Sequence, residues 1–105
     1  MTVSIQSSKP LYSRAPNRDG DGRGLSDFMI LIPGMRHWPG RKQGETIATM
    51  HLVLGGFTEV VFADLNLRLN LLWVSVKPRY GVIAEICAEL QHVIPEAKLV
   101  GSYSG

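Results

Sequence analysis

One cysteine, Cys87, stands in a chain of 105 residues. No disulfide can therefore close within one copy, and no metal site can draw on two thiolates. Long apolar runs are also missing. None approaches the ~18 residues that signal a membrane span, so no membrane association is expected. The segment Met1-Thr2-Val3-Ser4-Ile5-Gln6 has no basic patch leading into an apolar run, so a signal peptide is not expected and the cytoplasm is the expected compartment. Charge of one sign is scarce too. The formal net charge of +2 is too small to point to nucleic acid. No spaced carboxylate pair or nucleophile–base motif can be read. Lys42 is followed by Gln43, which removes a Walker loop.

What is present suits one small domain. Hydrophobic residues make up 45% and charged residues 19%, an ordinary globular balance. Residues 1–26 differ from the rest. Asn17-Arg18-Asp19-Gly20-Asp21-Gly22-Arg23-Gly24 has a linker composition, and residues 1–26 are read as a flexible tail. The domain is expected over residues 27–105. Phe28-Met29-Ile30-Leu31-Ile32, stopped by Pro33-Gly34, predicts a first strand. A polar, basic loop follows. A helix is predicted from Gly44-Glu45-Thr46, with Ile47, Met50 and Leu54 on its apolar side and His51 or Val53 beside them. Gly55-Gly56 is expected to end it. Phe57–Ala63 predicts a second strand, Asp64–Asn66 a turn, and Leu67–Lys77 a third strand closed by Pro78. Ile83, Ile86, Cys87, Leu90, Val93 and Ile94 form the stripe of a second helix, ended by Pro95. Ala97–Val100 predicts a last strand.

The order β-α-β-β-α-β and the handedness of crossovers leave one common solution. It is a ferredoxin-like α+β sandwich, strand order 4-1-3-2, with two helices on one face of an antiparallel sheet. The other face should be polar in a monomer. The third strand instead puts Leu67, Leu69, Leu71 and Trp73 on one parity and Leu72, Val74 and Val76 on the other. One set must face away from the helices. An exposed apolar patch of that kind marks an interface, so a homodimer through the sheet face is expected. The alternative is that the N-terminal tail folds over the patch.

The run from residue 28 to 101 resembles the heavy-metal-associated domain of copper chaperones and metal-transporting ATPases. Gly34-Met35 matches the family's first-strand end. Ile47 and Met50 match helix positions, Gly56-Phe57 stands where the family has Gly-Val, and Glu59–Leu65 resembles its second strand. The resemblance implies a metal loop after the first strand, with two cysteines spaced Cys-x-x-Cys. Here His37 stands at the first cysteine position and Gly40 at the second. Met35 and His37 make a poor pair for soft Cu(I). The expectation is a metal-free relative with no cofactor; an atypical His/Met metal carrier is the weaker alternative.

The loop Arg36-His37-Trp38-Pro39-Gly40-Arg41-Lys42 is the most distinctive local feature. Arg36, Arg41 and Lys42 are permanent cations, and His37 joins them before a helix N-terminus, whose free N–H groups favour anions. Trp38 offers a ring for stacking. Arg36, His37, Trp38, Arg41 and Lys42 are therefore the candidate ligand-binding residues, for a small anion or a protein partner. The opposing reading is a solvated basic loop. Asn17–Gly22 matches the first half of a calcium loop, but position twelve is Phe28 where a bidentate Glu is needed. Ser26, Thr46, Ser75 and Cys87 are available nucleophiles without a motif, and Cys87 on a packed stripe should be inert. His51 and His92 are read as boundary residues. Lys77-Pro78-Arg79-Tyr80 is a second basic loop, expected at the opposite end of the sheet. A non-enzymatic binding domain is expected. A dimeric α+β enzyme or sensor holding a small anion near the first helix is the alternative.

Overall fold

The computed structural model describes residues 3–5 and 24–104. Strand β1 (Val3–Ile5) and strand β2 (Ser26–Leu31) precede helix α1 (Gly40–Gly55). Strands β3 (Val60–Asn66) and β4 (Leu71–Val76) follow, then helix α2 (Val82–Val93) and strand β5 (Lys98–Ser104). The sheet order is β1-β3-β4-β2-β5. Strands β2 to β5 pair antiparallel with one another and keep the order expected of a βαββαβ chain. The fold is the ferredoxin-like two-layer sandwich. β1 adds to the outer edge of β3 in parallel. An edge strand at Val3–Ile5 and the first residue of β2 thus fall within residues 1–26. The calcium-like stretch Asn17–Gly22 lies outside the described residues.

One core joins the layers. Phe28, Ile30 and Ile32 line the helix side of the first long strand, with Ala63 and Leu65 from β3 and Leu72, Val74 and Val76 from β4. Met50 and Leu54 of α1 and Val82, Ile86, Cys87 and Leu90 of α2 pack onto them. These helix positions recur at three-and-four spacing, which places them on one side of each helix. His51, His92 and Val93 point to solvent.

Two boundaries depart most from expectation. Helix α1 begins at Gly40, not Gly44, because Pro39 serves as its N-cap and its carbonyl accepts the N–H of Gln43 at 3.0 Å. Proline at a helix start loses no intrahelical bond, so the ladder reaches back to it. The helix ends at Gly55 as expected, but Gly56 has φ −80° and uses none of glycine's left-handed freedom. The largest difference lies between β3 and β4. The expected turn at Asp64–Asn66 is strand, and the chain reverses in a 3-10 turn at Leu67–Leu69. Asn66 Oδ1 accepts the Leu69 N–H at 3.2 Å, and Asn70 takes a left-handed conformation, φ 55°. Asparagine is among the few non-glycine residues that tolerate this region. Leu67 and Leu69 therefore leave the strand, and only Leu71 and Trp73 of that parity stay on the sheet.

Candidate functional site

The residues of the expected binding loop come together at one end of the sandwich. Gly34, at φ 75°, turns the chain out of the sheet, where a side chain would be strained. Met35–His37 then make one 3-10 turn, with Met35 fully buried in the core. Two amide side chains hold this turn. Asn70 Oδ1 accepts the Arg36 backbone N–H at 2.7 Å. Gln43 Nε2 donates to the carbonyls of Met35 at 2.9 Å and Arg36 at 3.2 Å. The loop is thus fixed from β4's entry turn and from the first turn of α1. The sequence pattern marks neither Asn70 nor Gln43 as a site residue. Asn70 carried a usable signal, since Asn between apolar residues is a turn former.

The cations project from this frame. Arg36 donates from Nε to His37 Nε2 at 3.0 Å and from Nη1 to the Arg68 carbonyl at 3.3 Å. Arg41 pairs with Glu45 one turn later at 3.1 Å, both widely exposed. Lys42 Nζ lies 3.9 Å from the centre of the Trp38 ring and 3.4 Å from Glu96 Oε2. The Glu96 carboxyl sits below its ordinary range, held by its own backbone N–H and then by Lys42. Trp38 is half-buried and packs against the core. Arg68, exposed on the Leu67–Leu69 turn, joins the same end. Among the described residues, four permanent cations therefore gather against two carboxylates, Glu45 and Glu96.

The start of α1 sharpens the imbalance. It has no side-chain cap and no acidic residue in its first turn. Arg41 and Lys42 occupy that turn, where the helix dipole is positive and cations are disfavoured. The imidazole nitrogen Nε2 of His37, one of the two that could face a metal, already accepts a guanidinium hydrogen bond. Gly40 at the second position brings no ligand. Among the described residues no three of His, Cys, Asp and Glu gather.

Arg79 of the second basic loop lies at the far end, as expected. It bonds Glu59 and Glu85, each at 2.7 Å. The hydrogen bond from Arg79 lowers the Glu59 carboxyl. Tyr80 beside it is fully exposed, and a cleft of about 480 Å³ opens there, lined by Ser26, Arg79, Tyr80 and Val82. Of the candidate nucleophiles, Ser26, Ser75 and Cys87 are buried, and burial raises the Cys87 thiol.

The helix-free sheet face differs from expectation. Asp27, Met29 and Leu31 of β2 stand opposite Ser75, Trp73 and Leu71 of β4. Phe62, Asp64 and Asn66 of β3 continue the same rows. Its apolar members are only part-exposed, while Asp64 and Ser75 have no exposed surface and Asn66 little. The broad exposed apolar patch is therefore not found there among the described residues. Polar side chains occupy the centre, and that centre is closed within one copy.

This places the chain in the ferredoxin-like α+β class, with a basic, preformed loop at one end. No protein-family model matches the chain, and no curated protein or solved structure matches it either.

Proposed function

We propose that this chain is a small non-enzymatic binding domain that engages an acidic partner through Arg36, His37, Trp38, Arg41 and Lys42. The observation that carries the reading is the charge arrangement at that end. Arg36, Arg41 and Lys42 stand at the start of α1, which has no side-chain cap, with Arg68 on the adjoining turn, and among the described residues Glu45 and Glu96 are the carboxylates paired with them. The loop is held by Asn70 and Gln43, so little ordering entropy is lost when a partner docks. On this reading the domain is a metal-free counterpart of the heavy-metal-associated domains, with the loop as its contact surface. A small anion at the same place, as in a dimeric α+β enzyme or sensor, is the alternative.

The test is amide-shift mapping of the labelled chain against inorganic phosphate and against an acidic peptide. Shifts at residues 36–45 that grow with the peptide and fade with salt support the reading. Shifts with phosphate alone move the proposal to the small-anion alternative, and silence around Arg36–Glu45 ends both. Titration with Cu(I) and Zn(II), parent against His37→Ala, addresses the metal carrier. Heat that disappears on mutation would restore it.

A homodimer through the helix-free face is a second reading, favoured by the part-exposed Met29, Leu31, Leu71 and Trp73. Sedimentation velocity over a concentration series decides it, and a strictly monomeric chain removes it.

A further inference from the structure

The end of the sandwich away from the basic loop holds a second set of hydrogen-bond donors. Helix α2 begins at Val82 behind Gly81, which turns the chain at φ 78° and has no side chain to cap the helix. The first N–H groups of any helix lack intrahelical partners. Here the Arg79 carbonyl takes the Val82 N–H at 3.1 Å, and the ladder starts where Glu85 N–H meets the Gly81 carbonyl at 3.0 Å. Among the described residues, the N–H groups of Ile83 and Ala84 are left over. Both residues line the cleft of about 480 Å³ that also reaches the start of β2.

A buried hydroxyl opens onto the same cleft. Ser26 is the first residue of β2 and shares its parity with Phe28 and Ile30, which lie in the core. Its side chain therefore points to the helix layer. Its place at the strand's end makes it part of the cleft wall. Ser26 is only 8% exposed, and its hydroxyl has no hydrogen-bond partner among the described residues. A hydroxyl so placed has lost most of its hydration, and a ligand group that bonds it restores what was lost.

The wall narrows what the ligand can be. An N–H group donates and cannot accept, so the ligand must bring an acceptor, which removes metal ions and ammonium groups. Arg79 supplies no surplus charge, because Glu59 and Glu85 each bond it at 2.7 Å. The positive field that remains is the helix's own, equivalent to about half a charge. That suits one carboxylate and disfavours the double charge of a phosphate. Pro78, Tyr80, Val82 and Ile83 give the rest of the wall an apolar character, and the fully exposed Tyr80 offers a ring for stacking. The volume falls within the ~300–1,000 Å³ of small-molecule sites.

We propose that this cleft binds a small monocarboxylic acid with a flat apolar body. The carboxylate accepts from the N–H groups of Ile83 and Ala84 and from the Ser26 hydroxyl, and the body lies against Tyr80. Benzoate is the probe, titrated into the labelled full chain and followed by amide shifts. Saturating shifts at Ile83 and Ala84 are expected. Benzylamine, with the same ring and the opposite charge, should leave them still, and inorganic phosphate should move them less. Ser26→Ala should weaken benzoate about tenfold. Tyr80→Ala, at an exposed position where folding is not at stake, should weaken it about threefold. Silence at Ile83 and Ala84 overturns the proposal. So does benzylamine matching benzoate, phosphate exceeding it, or an unchanged affinity in either variant.

Discussion

The loop end and the helix-free sheet face use polar groups in opposite ways. At the loop end the charges are exposed, yet Arg36, Arg41 and Lys42 each have a partner within the chain. On the sheet face the polar groups are buried, and Asp27 Oδ1, Trp73 Nε1 and Ser75 Oγ have none. Exposed pairs contribute little because water competes for both members. Buried polar groups carry large stakes because nothing competes. The loop end is thus suited to exchanging its contacts for those of a partner, and the sheet face to holding one arrangement.

Each region carries one tryptophan, which gives the largest test of the contrast. Trp73→Ala removes a ring from the central strand and is expected to cost about 3 kcal/mol in urea unfolding. Trp38→Ala, at a surface loop that can relax, is expected to cost about 2 kcal/mol. Equal losses, or the reverse order, would break the comparison. Asn70 comes next. Asn70→Ala loses the bond to Arg36 and strains a left-handed residue, for about 2 kcal/mol together. Asn70→Gly keeps the backbone and loses only the bond, for about 1 kcal/mol. If the two variants behave alike, the left-handed geometry is not what Asn70 supplies.

Lys42→Ala should cost only about 0.5 kcal/mol, with the loss shrinking further in high salt. A larger, salt-independent loss would show that Lys42 holds the loop together. The smallest effect belongs to the far end and serves as a control for exposed pairs. Arg79 lowers the Glu59 pKa in the folded chain. Its contribution is therefore complete above the ordinary carboxylate range and is lost as pH falls through the lowered value. Unfolding profiles of Glu59→Gln and the parent should differ slightly at neutral pH and converge in acid. Divergence in acid would reverse the sign of this argument.

Much of the fold is legible in the sequence. Pro33-Gly34, Pro78 and Pro95 end elements through local backbone limits, and the stripes of both helices repeat at short spacing. The turn at Leu67–Asn70 was not legible in the same way. Its leucines read as strand, and only the pairing of β3 with β4 decides that Asp64 and Asn66 lie in the sheet. The loop residues Arg36 to Lys42 are visible as a basic cluster, whereas their distant partners are not. Asn70 meets Arg36 across 34 positions and Glu96 meets Lys42 across 54.

The sequence by itself determined the βαββαβ order from β2 to β5, the single core and the gathering of cations around the start of α1. These follow from neighbours a few residues apart. Tertiary structure alone decided that Lys42 would meet Glu96, that Asn70 would clamp the loop, and that polar groups of Asp27, Trp73 and Ser75 would be buried on the helix-free face. Those outcomes depend on which distant strands and turns come into register, and residues on different strands share no local pattern that announces it.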